Sequence, residues 1–175
     1  MLSNLLLIVA MLVGILLWIN AFRQKLVKLN ENVGQAMKQI GVQLSSRFEI
    51  LAILLRLAQH YAPYESDMLL EEMNTRRKVI TAKSTPEDVL LQEKVIAEVI
   101  DGLNGLMMQH AELKDYDTFQ RMMDAVQVYE NMLKTSQLLY NDCVKKLNKE
   151  IQTFPYSLIA KLLGFSRKAH LSLEN

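Results

Sequence analysis

A single cysteine, Cys143, in 175 residues excludes an intramolecular disulfide and any zinc site built from Cys ligands. With three prolines and six glycines, long stretches carry no residue that would interrupt a helix. Runs of β-branched residues are scarce, whereas Leu is frequent and Met occurs ten times, a balance that favours helix over strand. A formal net charge of +1 gives no electrostatic footprint for nucleic acid. Catalytic patterns are missing too: there is no H-E-x-x-H, no G-x-S-x-G and no Walker loop. The three histidines, His60, His110 and His170, are far apart. Three residues before them stand Leu57, Met107 and Arg167, so none belongs to the Glu-x-x-His pair of a bundle di-iron site. Glu71 and Glu72 point to different sides of a helix and form no acid–base dyad. Cys143 lies on a helical stripe, where it reads as a small apolar residue rather than a nucleophile. The expectation is a non-enzyme without catalytic residues, metal ligands or a cofactor.

The most informative absence is at the N-terminus, where no charged side chain precedes Arg23. Leu5, Leu6, Leu7, Ile8, Val9, Leu12, Val13, Ile15, Leu16, Leu17, Trp18 and Ile19 make up most of an apolar run. Some twenty helical residues span roughly 30 Å, the thickness of a bilayer's hydrocarbon core. A cleaved signal peptide fits less well. No Lys or Arg precedes the run, the run is long for such a peptide, and Ile19 is too bulky for the position two before Ala21. Residues 1–22 are therefore expected to be a retained transmembrane anchor. Arg23, Lys25 and Lys28 flank only its C-terminal side, which places the N-terminus outside and the remainder in the cytoplasm. Trp18 suits an interfacial aromatic.

Residues 23–153 are expected to form one helical bundle domain. Apolar residues from Leu26 to Ala62 recur at steps of three and four, the stripe of an amphipathic helix. With no proline before Pro63, anchor and first soluble helix read as one rod from Asn4 to Ala62, roughly 85–90 Å long. Gly34 and Gly41 within it each cost about 1 kcal/mol against Ala. Residues 64–82 read as a second helix, acidic early and basic late. Ser84-Thr85-Pro86-Glu87-Asp88 is a cap and helix start for a third. Residues 111–118 break the pattern. A fourth helix then carries the strongest stripe: Phe119, Met122, Val126, Tyr129, Leu133, Ser136, Tyr140, Cys143 and Leu147, ending on Glu150 or Ile151. Four such segments joined by short connections imply an all-α, antiparallel up-down bundle whose last long helix returns to the membrane. Asn131, Asn141 and Asn148 on that helix are candidates for setting register between helices, or for a partner groove.

Residues 154–175 read as a short amphipathic helix and tail, opened by Pro155 and closed by Gly164. Leu158, Ile159, Lys161, Leu162, Leu163, Phe165, Arg167 and Lys168 are its candidate membrane-surface residues. A helix capping the base of the bundle accounts for the same pattern.

Tyr140-Asn141, Val144, Asn148, Ile151, Phe154-Pro155, Ile159-Ala160 and Gly164-Phe165 stand in a spacing that resembles the LemA family of bacterial membrane-anchored helical proteins. A second stretch is similar in the same way: Leu29-Asn30, Val33, Ala36, Gln39-Ile40, Val42-Gln43-Leu44 and Arg47. So is a third, Glu112-Leu113-Lys114 through Phe119, with Glu130-Asn131 beyond. The chain departs from the family pattern at Gly41, where an Asp is common, and at Ala52-Ile53, where Pro-Asn is usual. His110-Ala111 and Ser136-Gln137 are further departures. The resemblance implies a single-pass protein of the bacterial inner membrane with a cytoplasmic helical domain and no enzymatic activity. It implies a scaffold or interaction protein in membrane or envelope organisation, with protein partners or self-association as a homo-oligomer. An adaptor or regulator of a membrane-embedded enzyme such as a protease is the alternative.

Overall fold

The computed structural model describes residues 2–115 and 117–172. Side chains are not described for Leu2, Ser3, Leu5, Lys114 and Asp115. The anchor candidate Leu5, Lys114 and Tyr116 of the third stretch, and the ends of the expected anchor and tail thus fall wholly or partly outside the described set. The described residues are all-α: α1 (Leu2–Ala58), α2 (Pro63–Arg76), α3 (Pro86–Gln109), α4 (Glu112–Asp115), α5 (Asp117–Gln152) and α6 (Tyr156–Leu162).

Helix α1 runs unbroken for 57 residues, roughly 85 Å. It ends at Ala58 rather than Ala62. A turn over residues 59–61 follows, and Pro63 opens α2 at its first position, where the missing N–H costs nothing. The closest backbone pairing is between α1 and α5. Two ion pairs show that they run antiparallel: Lys25 Nζ lies 2.7 Å from Glu150 and Arg47 Nη2 lies 3.5 Å from Glu130. The stripes interdigitate as the 3–4 spacing requires, with Leu26, Met37, Ile40, Leu44, Phe48, Leu51 and Leu55 of α1 buried with Phe119, Val126, Leu133, Tyr140, Val144 and Leu147 of α5. Met122, Tyr129, Cys143 and Ile151 sit half-buried at the rim.

The expected second helix, residues 64–82, is helical only in its first part. Helix α2 stops at Arg76, and residues 77–85 form a non-helical strap along α1 that turns at residues 82–83. Its cause is not local. Gln92 of α3, itself buried, accepts from the Lys78 backbone N–H at 2.6 Å and donates to the Arg76 carbonyl at 3.3 Å. That side chain replaces the bonds a continued helix would have made. The strap needs room, and the two glycines of α1 give it. A Cβ on Gly41 would stand 2.3 Å from the Ile80 carbonyl oxygen, and one on Gly34 would stand 3.3 Å from the Ala82 Cβ. These glycines mark a close approach, not a weak point in the rod.

Helix α3 starts with a capping box. The Asp88 N–H donates to the Thr85 hydroxyl, and the Asp88 carboxylate accepts from the Thr85 N–H at 2.8 Å. Val89, Val95, Ile96, Val99, Leu103 and Leu106 face the core. The polar break holds the one-turn α4, pinned by buried Leu113.

Candidate functional site

The candidate site is the end of the bundle where α1 leaves its apolar stretch. Helix α1 is long and apolar enough to cross a membrane, and only 6 % of its most apolar window is buried. Leu6, Leu7, Ile8, Val9, Leu12, Val13, Ile15, Leu16, Leu17 and Trp18 are exposed, while Ile19 is half-buried. Burial begins at Phe22 and Leu26, where the helix enters the core. Of the three flanking cations, Arg23 and Lys28 point to solvent and Lys25 pairs with Glu150.

At this level the chain after α5 folds back. The Phe154–Pro155 peptide bond is cis, and Pro155 stands at the N-cap of α6. The Tyr156 ring stacks on Phe22 at 4.4 Å between centroids and tilts against Trp18 at 5.6 Å. The first residue of α6 is thereby fixed to the last turns of the apolar stretch of α1. Gly164, with φ +76°, ends α6 in the left-handed conformation that glycine adopts without strain. The Phe165 N–H then donates to the Ala160 carbonyl at 3.0 Å and the Gly164 N–H to the Lys161 carbonyl at 3.2 Å, a Schellman closure.

This turn sends residues 166–172 back along α5 as an extended tail. Two asparagines hold it. Asn141 donates to the Leu171 carbonyl at 2.9 Å and accepts from the Leu171 N–H at 2.8 Å. Asn148 does the same with Lys168, both bonds 2.9 Å. Between them the Tyr140 hydroxyl donates to the Ala169 carbonyl at 3.1 Å. The spacing is matched: seven residues of helix rise about 10 Å, as do three residues of extended chain. Leu171 is 2 % exposed and plugs the space beneath. Burial raises the Tyr140 hydroxyl pKa above the ordinary tyrosine value, with Glu87 adding to the effect, so it remains a donor.

The candidate membrane-surface residues divide. Leu158, Lys161 and Leu162 are exposed; Ile159 and Phe165 are half-buried against the bundle and Leu163 is half-buried; Arg167 and Lys168 are exposed on the tail, with the Lys168 backbone in the Asn148 clamp. The packed and the outward-facing arrangements therefore both occur, on opposite faces of one helix. Sequence reasoning missed Phe154, an exposed aromatic just before α6, and Tyr156, which joins α6 to the apolar stretch of α1. It named Asn141 and Asn148 but assigned them to neighbouring helices. Asn131 is exposed and its backbone carbonyl accepts from Thr135.

Farther up the bundle, Arg47 is 6 % exposed and faces Glu130, which also pairs with Lys134 at 2.9 Å. Burial lowers the Arg47 pKa, and the charges of Glu130 and Glu93 oppose that shift. Glu93 accepts from Gln137 at 3.0 Å, so one polar layer joins α1, α3 and α5. The Cys143 thiol is pushed up by burial, with Asp142 adding to the effect, which keeps it in the unreactive thiol form. His60 meets Tyr61 edge-on, His110 caps α3 and His170 is exposed on the tail. Among the described residues no three His, Cys, Asp or Glu side chains are grouped to hold a metal ion.

The LemA family pattern matches residues 36–175, which include α5, the clamp, α6 and the tail. The chain belongs to the LemA family. The match begins beyond the apolar stretch and takes in four-fifths of the chain. No individual curated protein matches it. The residues that carry the family resemblance near the C-terminus, Tyr140-Asn141, Asn148, Phe154-Pro155 and Gly164-Phe165, build the clamp, the turn into α6 and the turn out of it. Gly41, where the family often carries Asp, is the position at which the strap leaves no space for a side chain.

Proposed function

We propose that this LemA-family protein is a membrane-anchored, non-enzymatic helical scaffold. In this reading its bundle stands in the cytoplasm on the inner membrane and organises protein partners or further copies of itself. The observation that carries the proposal is the continuity of α1, which passes from the apolar stretch into the bundle core without a break. A tether needs only a flexible join. A helix shared by anchor and core, with Tyr156 stacked across the junction, transmits orientation and holds the bundle at a set distance from the lipid. The side of α5 away from the core offers Val128, Met132 and Leu139, exposed and aligned at helical spacing, as a surface for a partner.

Two experiments test this. Chemical crosslinking of the full-length protein in mild detergent and in lipid should trap oligomers. A strictly monomeric protein that co-purifies with one membrane enzyme would instead favour an adaptor role on the same α5 surface. Inserting a flexible glycine–serine linker after Arg23 leaves attachment intact and uncouples the bundle. Cellular activity that survives the insertion refutes the rigid-scaffold reading and leaves the anchor as a tether.

A further inference from the structure

The outward-facing apolar residues of α6 and the Phe154 that precedes it have no covering neighbour among the described residues. Phe154, Leu158 and Leu162 stand four residues apart and are 78, 67 and 84 % exposed. Short helices in globular proteins bury such a row, and the opposite face of α6 does so through Tyr156, Ile159 and Ala160. The height of the row is set by the aromatic joint. Trp18 lies five residues before Arg23, roughly 7–8 Å along the helix axis, and Tyr156 rests on both Trp18 and Phe22. If α1 spans the bilayer, these aromatics lie at the boundary between acyl chains and headgroups, and α6 starts at that depth.

The surrounding charge identifies the chemistry of the occupant. In the segments 18–31 and 149–172, Lys25 and Glu150 neutralise each other. That leaves Arg23, Lys28, Lys149, Lys161, Arg167 and Lys168 against Glu31 alone. A second copy placed on this face would bring like charges together, which opposes association. An anionic leaflet supplies both apolar chains for the row and negative headgroups for the cations.

We infer that α6 is a second membrane contact: Phe154, Leu158 and Leu162 enter the interfacial region of a leaflet containing anionic lipid, and the surrounding lysines and arginines bind its headgroups. The inference rests on the membrane-anchor reading of α1. Two contacts at one level stop the bundle from turning about its anchor, so a fixed face of α5 is presented along the membrane.

The test uses the full chain, with Cys143→Ala, reconstituted into vesicles. Single cysteines placed at Leu158, Leu162, Leu12 and Asp124 carry an environment-sensitive fluorophore. Vesicles are phosphatidylcholine alone or with about one-third phosphatidylglycerol, and quenchers are iodide in water or nitroxides on the acyl chains. Labels at positions 158 and 162 are expected to shift to the blue, lose iodide access and be quenched by the nitroxides, more so with phosphatidylglycerol. The label at position 124 should stay accessible to iodide. Labels at 158 and 162 that behave like 124 while the label at 12 is lipid-quenched overturn the α6 contact and leave the anchor standing. A label at 12 that the nitroxides do not reach overturns the anchor reading and the inference with it. Protection at 158 and 162 that is lost on dilution and insensitive to the nitroxides assigns the row to a second copy, against the proposal. Equal shifts in both vesicles overturn the role of the basic residues.

Discussion

Replacing Gly41 by alanine sets two opposed effects against each other, and the structure decides the sign. In a free helix the change is favourable by about 1 kcal/mol, because glycine is a poor helix former. Here the new methyl would lie 2.3 Å from the Ile80 carbonyl oxygen, 3.1 Å from its carbonyl carbon and 3.1 Å from its Cβ. Ordinary carbon–oxygen contacts need about 3.3 Å, so the strap must retreat by roughly 1 Å. The colliding atoms include backbone, so no side-chain rotation relieves them. Overpacking of this kind costs about 1–3 kcal/mol, and expelling the buried Ile80 altogether costs about 2–3 kcal/mol. The net expectation is a loss of up to about 2 kcal/mol, a fall in Tm of up to about 8 °C for a domain of this size. Gly105, in α3, is the control: a Cβ there meets nothing within 4 Å, so Gly105→Ala should raise stability by up to about 1 kcal/mol. Gly34→Ala, with a 3.3 Å approach to Ala82, should fall between them. Thermal unfolding of the full chain in mild detergent, followed by helical circular dichroism, gives the order. Limited trypsin digestion reads the strap itself, since Arg77, Lys78 and Lys83 should be cut faster in Gly41→Ala. If Gly41→Ala is as stable and as protease-resistant as Gly105→Ala, the strap does not run against α1 and the account of the second segment is wrong.

Asn141→Ala and Asn148→Ala each remove two main-chain hydrogen bonds from the tail, together worth about 1–3 kcal/mol per variant. Amide exchange at Leu171 and Lys168 respectively should accelerate by roughly one to two orders of magnitude. Unchanged exchange would exclude the clamp. The Asp88 carboxylate is held below the usual range by the Thr85 N–H and hydroxyl. Its contribution is therefore present above about pH 4 and lost as the pH falls through its lowered folded value. Acid titration of α3 helicity should show this loss, and Asp88→Asn should remove it. Thr85→Ala should cost about 1 kcal/mol at neutral pH, read by urea unfolding. Arg47→Ala leaves Glu130 and Glu93 without their buried cation and should cost about 2–4 kcal/mol. Arg47→Met, which restores most of the volume but not the charge, should cost clearly less; equal losses in urea unfolding would show that the lost charge, not the lost packing, decides.

The elements that were legible in the sequence were those whose cause is local or periodic. The stripes of α1, α3 and α5 follow from spacing alone, and the start of α3 follows from Thr85, Pro86 and Asp88, all within four residues. The end of α2 has no such signal. Thr75-Arg76-Arg77-Lys78 suits the last turn of a helix, and nothing nearby forbids continuation. The chain leaves the helix because Gln92, sixteen residues beyond Arg76, takes its backbone groups, and because Gly34 and Gly41 open a track for Ile80 and Ala82. A sequence shows those glycines as costs until the segment that fills the track is in place. The division of α6 into two faces was partly legible, since the apolar pattern is present. Which face is packed depends on Tyr156 finding Trp18 and Phe22, more than 130 residues earlier.

The asparagines carry the argument furthest. As polar residues on a heptad-striped helix they read as candidates for register between helices, a known role of a polar residue in such a seam. They instead bond the main chain of the tail, so side-chain identity at positions 168 and 169 matters little to the clamp, and the plug at Leu171 supplies the apolar contact. The consequence reaches the family resemblance. The C-terminal motif residues, scattered from Tyr140 to Phe165, are parts of one device that ties α5, α6 and the tail to the end of α1 that carries the apolar stretch. Two of the departures, Ala52-Ile53 and His110-Ala111, lie toward the other end, near the α1–α2 turn and the close of α3. Kept positions stand at that end as well, since Glu112-Leu113 and Phe119 of the third stretch adjoin His110-Ala111, so the C-terminal device accounts for one of the three stretches that carry the resemblance.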